Sequence, residues 1–156
     1  MSVTLRPACA DDEDFLYALY CNTRHREVAA WGLDAGQSQM LLKMQYMAQG
    51  AQYRSQFPEA DHDIILLDGQ PIGRVMVNRS PEQNTGVDIA LLAQYRSQGI
   101  GGEIIHALLD EATRAGKPFR IHVEKTNPAI HLYNRLGFAT IADTGAHFIM
   151  EWNSKT

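Results

Sequence analysis

The chain has 156 residues, 45% hydrophobic and 21% charged, which is one domain's worth of ordinary globular sequence. Its 14 Lys and Arg against 18 Asp and Glu leave a net charge of −4; the bases are scattered, so no nucleic-acid partner is expected. No apolar run reaches the roughly 20 residues that cross a bilayer, so no membrane partner is expected either.

The first residues, MSVTLRPACADDED, carry acids where a signal peptide has its apolar stretch, and a cytoplasmic, unprocessed chain is expected. Residues 3–6 form a first strand ended by Pro7. Asp11 or Asp12 then caps a helix whose acidic first turn suits the positive end of its dipole. Phe15, Leu16 and Leu19 are its buried stripe. Cys9 and Cys21 fit no zinc or redox spacing and read as small hydrophobes.

Residues 22–36 lead to a second helix marked by Met40, Leu41, Met44, Met47 and Ala48 at helical spacing. Its methionines are expected to fill the core. Residues 63–68 and 72–78 are strands joined at Asp68-Gly69, a hairpin signal. Residues 87–92 are a third, mostly apolar strand, expected at the centre of the sheet.

From Gly101 to Ala115 the pattern is helical, with Ile100, Ile104, Ile105, Leu108, Leu109 and Ala112 on one face. Gly116 and Pro118 end it. Residues 119–124 alternate as a strand, residues 128–136 are a short helix closed by Gly137, and residues 138–142 and 147–152 make a final hairpin. The order β, α, α, β, β, β, α, β, α, β, β describes one mixed α/β domain over residues 1–156. Its strand, helix, strand unit implies a parallel crossover pair.

The segment LLAQYRSQGIGGEII, residues 91–105, carries the most chemistry. A central strand ends, a loop follows, and a helix begins inside the last glycines. Free backbone N–H groups and the positive helix end then meet at one spot, which suits a phosphate or pyrophosphate. Gly99, Gly101 and Gly102 permit close approach, and Arg96 adds a fixed cation. The dinucleotide fingerprint GxGxxG would need glycine at Ile104, and the P-loop would need Lys at Glu103, so neither fits. The pattern present is R-x-x-G-x-G, as Arg96, Gly99 and Gly101.

That pattern, together with Asn127 to Phe138 (NPAIHLYNRLGF), resembles the GNAT superfamily of N-acetyltransferases. Ala129, Ile130, Leu132, Tyr133, Leu136, Gly137 and Phe138 fall in register with the family's second segment, one strand after the loop. Asn127 stands one residue nearer to the Ala than in many members. The resemblance implies a mixed, mostly antiparallel sheet of about seven strands with a splayed parallel pair, flanked by about four helices.

The resemblance also implies acetyl-CoA as the acyl donor, with coenzyme A as product. Its pantetheine arm would lie against Leu91, Leu92 and Ala93. Arg96, Ser97, Gln98, Gly99, Ile100, Gly101 and Gly102 would hold the pyrophosphate, with Asn127 nearby. The reaction is direct attack of a primary amine on the thioester, with a donor for the oxyanion and a proton for the thiolate. Tyr133 matches the family's tyrosine that reaches the sulfur. Asp88 is a candidate base or a structural salt bridge, depending on whether a bulge changes its face. His25, Glu27, His122 and Glu124 are competing bases. Arg24, Glu27 and Trp31 are candidate acceptor contacts, with Arg24 or Arg26 reading a carboxylate.

No histidine pair has a metal-ligand spacing, and Ser97 lacks a nucleophile arrangement, so neither metal nor covalent intermediate is expected. The expected acceptor is a primary amine of a small molecule, a peptide or a protein, and the expected assembly a monomer or homodimer. The competing readings are a coenzyme-binding sensor or scaffold without turnover, and a structural domain with an empty loop.

Overall fold

The computed structural model describes residues 2–154. Seven strands form one sheet in the order β1-β2-β3-β4-β5-β7-β6. They are β1 (Val3–Pro7), β2 (Asp61–Leu67), β3 (Gln70–Arg79), β4 (Asn84–Leu91), β5 (Phe119–Glu124), β6 (Ala139–Asp143) and β7 (His147–Trp152). Every neighbouring pair is antiparallel except β4 and β5. The helices are α1 (Glu13–Thr23), α2 (His25–Ala30), α3 (Ala35–Gln56), α4 (Ile100–Ala115) and α5 (Ala129–Leu136).

The crossover unit behaves as its pattern demands. All six residues of the α4 stripe are buried, against Val75, Val77, Phe119, Ile121, Val123 and Met150 of the sheet. Each such aliphatic side chain contributes about 1.5–3 kcal/mol on leaving water. Gly116 closes the helix at φ +69, where a left-handed residue satisfies the last carbonyls. In the hairpin between β2 and β3, Asp68 and Gly69 both take positive φ, +49 and +85, as the twist of a two-residue turn requires.

Four expectations need correction. The connecting segment contains a helix of its own, α2, which makes five helices among the described residues. It buries none of its six residues and so has no apolar stripe to read. Asp12 does not cap α1: its carboxylate accepts from Arg6 and from the Cys9 N–H, after a 3-10 turn at Ala10–Asp12. β4 begins at Asn84, earlier than expected, because buried Asn84 and Thr85 extend it.

The fourth concerns α3. Met40, Met44 and Met47 are 68%, 62% and 61% exposed, and the helix instead buries Ser38 and Leu42. Helical spacing shows that a stripe exists but not which way it faces. The inward face of α3 carries Gln49 and Tyr53, because this helix roofs clefts over the sheet rather than filling a core.

Candidate active site

β4 and β5 pair over only three positions, ending at Gly86 opposite Ile121. Beyond that β4 continues to Leu91 without a partner on that side. Its β3 register slips between Met76 and Val77, which leaves Val87 as a bulged residue. On the β3 side the Leu92 N–H donates to the Ile72 carbonyl. By the two-residue alternation of antiparallel pairing, the polar groups of Ile89 and Leu91 therefore face the open gap.

At the end of β4 the chain turns through Ala93–Tyr95 into α4. Ser97 and Gly99 take φ +62 and +84. No side chain caps the start of α4, so its first-turn N–H groups point outward unsatisfied by a cap. A Cβ at Gly99 or Gly102 would meet no atom within 4 Å, and one at Gly101 only Leu91 Cδ1 at 3.9 Å. The glycines thus leave open space beside the amides at the positive helix end. Arg96 is anchored beside it, its Nε donating to the Leu91 carbonyl at 3.0 Å.

Tyr133 sits on α5 with its ring 5.4 Å from that of Phe138. It is 9% exposed, and no group among the described residues hydrogen-bonds its phenol. Burial first, and then the charge of Asp88, push its pKa up to about 12. It is a phenol that stays protonated at neutral pH and has an O–H to donate.

On the opposite face of the sheet lies a cleft of about 540 Å³ beneath α1, α2 and α3, lined among others by Tyr20, Arg24, Glu27, Tyr53, His122 and Glu124. Arg24 Nη1 stands 3.2 Å from Glu27 and 3.6 Å from Glu124, and its guanidinium lies 5.0 Å from the centre of the Tyr20 ring. One cation against two carboxylates leaves this group with a net charge of about −1. Asp88 is held on the same side by Arg74, whose Nε and Nη2 reach its Oδ2 at 2.9 and 2.5 Å. The charge of Asp88 raises both the Tyr53 and the Tyr133 phenol.

Residues 15–138 match the family model for the acetyltransferase (GNAT) family. The chain belongs to the GNAT acetyltransferase family. Its chemistry is acetyl-CoA-dependent acyl transfer. Solved GNAT structures share its fold across nearly its whole length. The PaiA N-acetyltransferase of Thermoplasma acidophilum, solved with coenzyme A, is 17% identical, with TM-score 0.72 over 98% of this chain and 99% of that one. An acetyltransferase of Thermus thermophilus is 14% identical, with TM-score 0.70 over 98% and 97%. The ribosomal-protein-S18-alanine N-acetyltransferase of Escherichia coli is 19% identical, with TM-score 0.62 over 97% and 94%. No curated protein matches the chain significantly in sequence.

Within this GNAT fold the structure sorts the residues singled out from sequence. Ser97, Gln98, Gly99, Ile100, Gly101 and Gly102 gather around the open helix start. Leu91 presents its backbone to the gap, whereas the N–H of Leu92 is taken by Ile72 and that of Ala93 by Asn22 Oδ1 at 2.9 Å. Ile89, which sequence reasoning passed over, has the favourable orientation; its signal is strand parity, which needs the register. Asn127 accepts from the Ala129 N–H at 2.9 Å and so shapes the start of α5. Arg24 and Glu27 line the cleft, while Trp31 at the end of α2 and His25 at its start do not. For Asp88 the ion pair with Arg74 is the arrangement present. Arg74 itself was not foreseen, because it lies 14 residues away on another strand.

Proposed function

We propose that this GNAT protein transfers the acetyl group of acetyl-CoA directly to a primary amine of a small molecule or peptide, with Tyr133 donating the proton that the departing sulfur takes. The observation that carries the reading is one gap with two openings. The unpaired stretch of β4 leads to the uncapped start of α4 at one end and borders the negatively charged cleft through Gly86 and Val87 at the other, with Tyr133 near enough to Asp88 of β4 to feel its charge.

The open space at these glycines fits the pyrophosphate of the coenzyme, since each missing side chain leaves room beside free amides. Residues 97–102 hold it there, with Arg96 adding charge and Ile89 and the Leu91 N–H offering backbone groups to the pantetheine arm. Bound acetyl-CoA supplies an activated acetyl thioester. An N–H on the open edge of β4 is placed to stabilise the oxyanion. Glu27 and Glu124 favour a cationic acceptor over a carboxylate, because Arg24 is already paired with both. Asp88, clamped by Arg74, adds its charge to the burial that holds the Tyr133 phenol protonated.

Thermal melting with acetyl-CoA, followed by thiol release over a panel of primary amines, tests this. Ligand at about 100 times its Kd adds about 2.7 kcal/mol, or roughly 5–10 °C in a domain of this size. A shift together with thiol release supports the reading. A shift without turnover of any amine turns it into a coenzyme-binding module. No shift with acetyl-CoA or CoA overturns both.

A further inference from the structure

Resting on that reading, we propose that His122 is the catalytic base that takes the proton from the acceptor ammonium. Along β5 the residues Phe119, Ile121 and Val123 are buried in the core. Arg120, His122 and Glu124 therefore project to the opposite face, where the cleft lies. His122 is the residue after Ile121, the last of β5 in register with β4. It stands where the two strands part, on the acceptor side. Its backbone is fixed by pairing with Ile149 of β7, and its ring lines the cleft.

The other bases in reach are occupied. Asp88 is clamped by Arg74, and Glu27 and Glu124 share Arg24. His147 also lines the cleft, but it is on β7, one strand further from the gap. No group among the described residues hydrogen-bonds the His122 ring, so a lone pair is available to an acceptor. The charged and titratable groups facing it are Arg120 and Glu124 on its own strand, His147 on β7, and Arg24, Glu27 and Tyr53 across the cleft. Arg120 is itself paired with Glu151 at 2.8 Å. Partial desolvation, then His147, then Arg120 lower the imidazole pKa, so the ring is neutral at pH 7 and free to accept a proton.

The proton balance closes. The acceptor ammonium gives one proton to His122, which later releases it to solvent. The free amine forms the new C–N bond to the thioester carbonyl, and the C–S bond breaks. The sulfur takes a proton from Tyr133, and the phenol regains one from the acylated nitrogen. The products are an amide, the free thiol and one proton in solution.

Two acceptor probes separate a base from a structural role. n-Butylamine is protonated at neutral pH and needs a base, whereas hydroxylamine is unprotonated there and does not. Expected for His122→Gln is a fall of about 10²–10⁴ in kcat with n-butylamine and less than about threefold with hydroxylamine. The wild-type kcat for n-butylamine should rise with pH on an ionisation below the usual histidine value, and the variant should lack that limb. His122→Asn, with the acetyl-CoA melting shift as a check of folding, should repeat the pattern. Equal losses with both amines, or none with n-butylamine, would overturn the assignment and leave acyl transfer standing. No thiol release by the wild type with these two amines or with any other of the panel would instead defeat the transferase reading, and the assignment with it.

Discussion

Tyr133 combines two properties that pull on each other. Its ring belongs to the core beside Phe138, yet its phenol is proposed to reach the sulfur. The raised pKa, about 12, reconciles them: a neutral phenol is the form that burial favours and the form that donates. Tyr133→Phe keeps the ring and removes only the proton. Turnover with the best amine should fall by about 10²–10³, with acetyl-CoA affinity changed less than about threefold. The same pKa sets a sign. The acid works when protonated, so phenol ionisation should cause no loss of kcat on the alkaline side until well above pH 10. A wild-type decline centred near pH 8 that vanishes in Tyr133→Phe would contradict this. Tyr133 was legible in the sequence because a motif places it. The Arg74–Asp88 pair was not, because the two residues meet only through the β3–β4 register.

Among the elements, α4 shows how folding and binding can be separated at its first turn. Gly99 takes a left-handed backbone, at φ +84, whereas Gly101 is helical with open space above it, where the proposed coenzyme cradle lies. Gly99→Ala should destabilise the fold by about 1–2 kcal/mol through its left-handed backbone. Gly101→Leu sits in helical backbone, where Leu is favoured over Gly by several tenths of a kcal/mol. It should melt at or above the wild-type temperature yet lose the stabilisation by acetyl-CoA. Melting curves of both variants with and without acetyl-CoA check the pair, and a normal acetyl-CoA shift in Gly101→Leu would refute the cradle. α4 could be read from sequence because its apolar stripe faces a fully apolar core. α3 could not: its inner face lines clefts and is polar, so the more hydrophobic methionine face pointed the wrong way.

At the scale of the whole molecule, none of the helices among the described residues is long and apolar enough to cross a membrane. The sheet carries two partly desolvated histidines that titrate near neutrality. His62 on β2 is lowered by burial and then by Arg74, and its Nε2 is buried without a partner. His122 is lowered as well. A histidine depressed on folding binds fewer protons than in the unfolded chain, so its contribution is present above about pH 6.5 and is lost as pH falls. Glu111 is depressed mainly by its hydrogen bond from Arg79, which adds a second loss below the usual carboxylate range. The melting temperature should therefore be level from about pH 8 to pH 6.5, then decline. His62→Phe should flatten part of the first decline. Melting over pH 4–8 decides it, and an unchanged slope in that variant would count against His62.

The sequence by itself determined the fold class and the family, and the order of every element but α2, because each is written in local spacing: the 3.6-residue stripe of α4, R-x-x-G-x-G, and the run to Leu136-Gly137-Phe138. The tertiary structure alone decided which backbone groups of β4 face the gap, which carboxylates are already paired, and that His122 stands at the parting of β4 and β5. Those depend on strand register, on a bulge at Val87 and on contacts between residues up to about a hundred positions apart, none of which leaves a periodic trace along the chain.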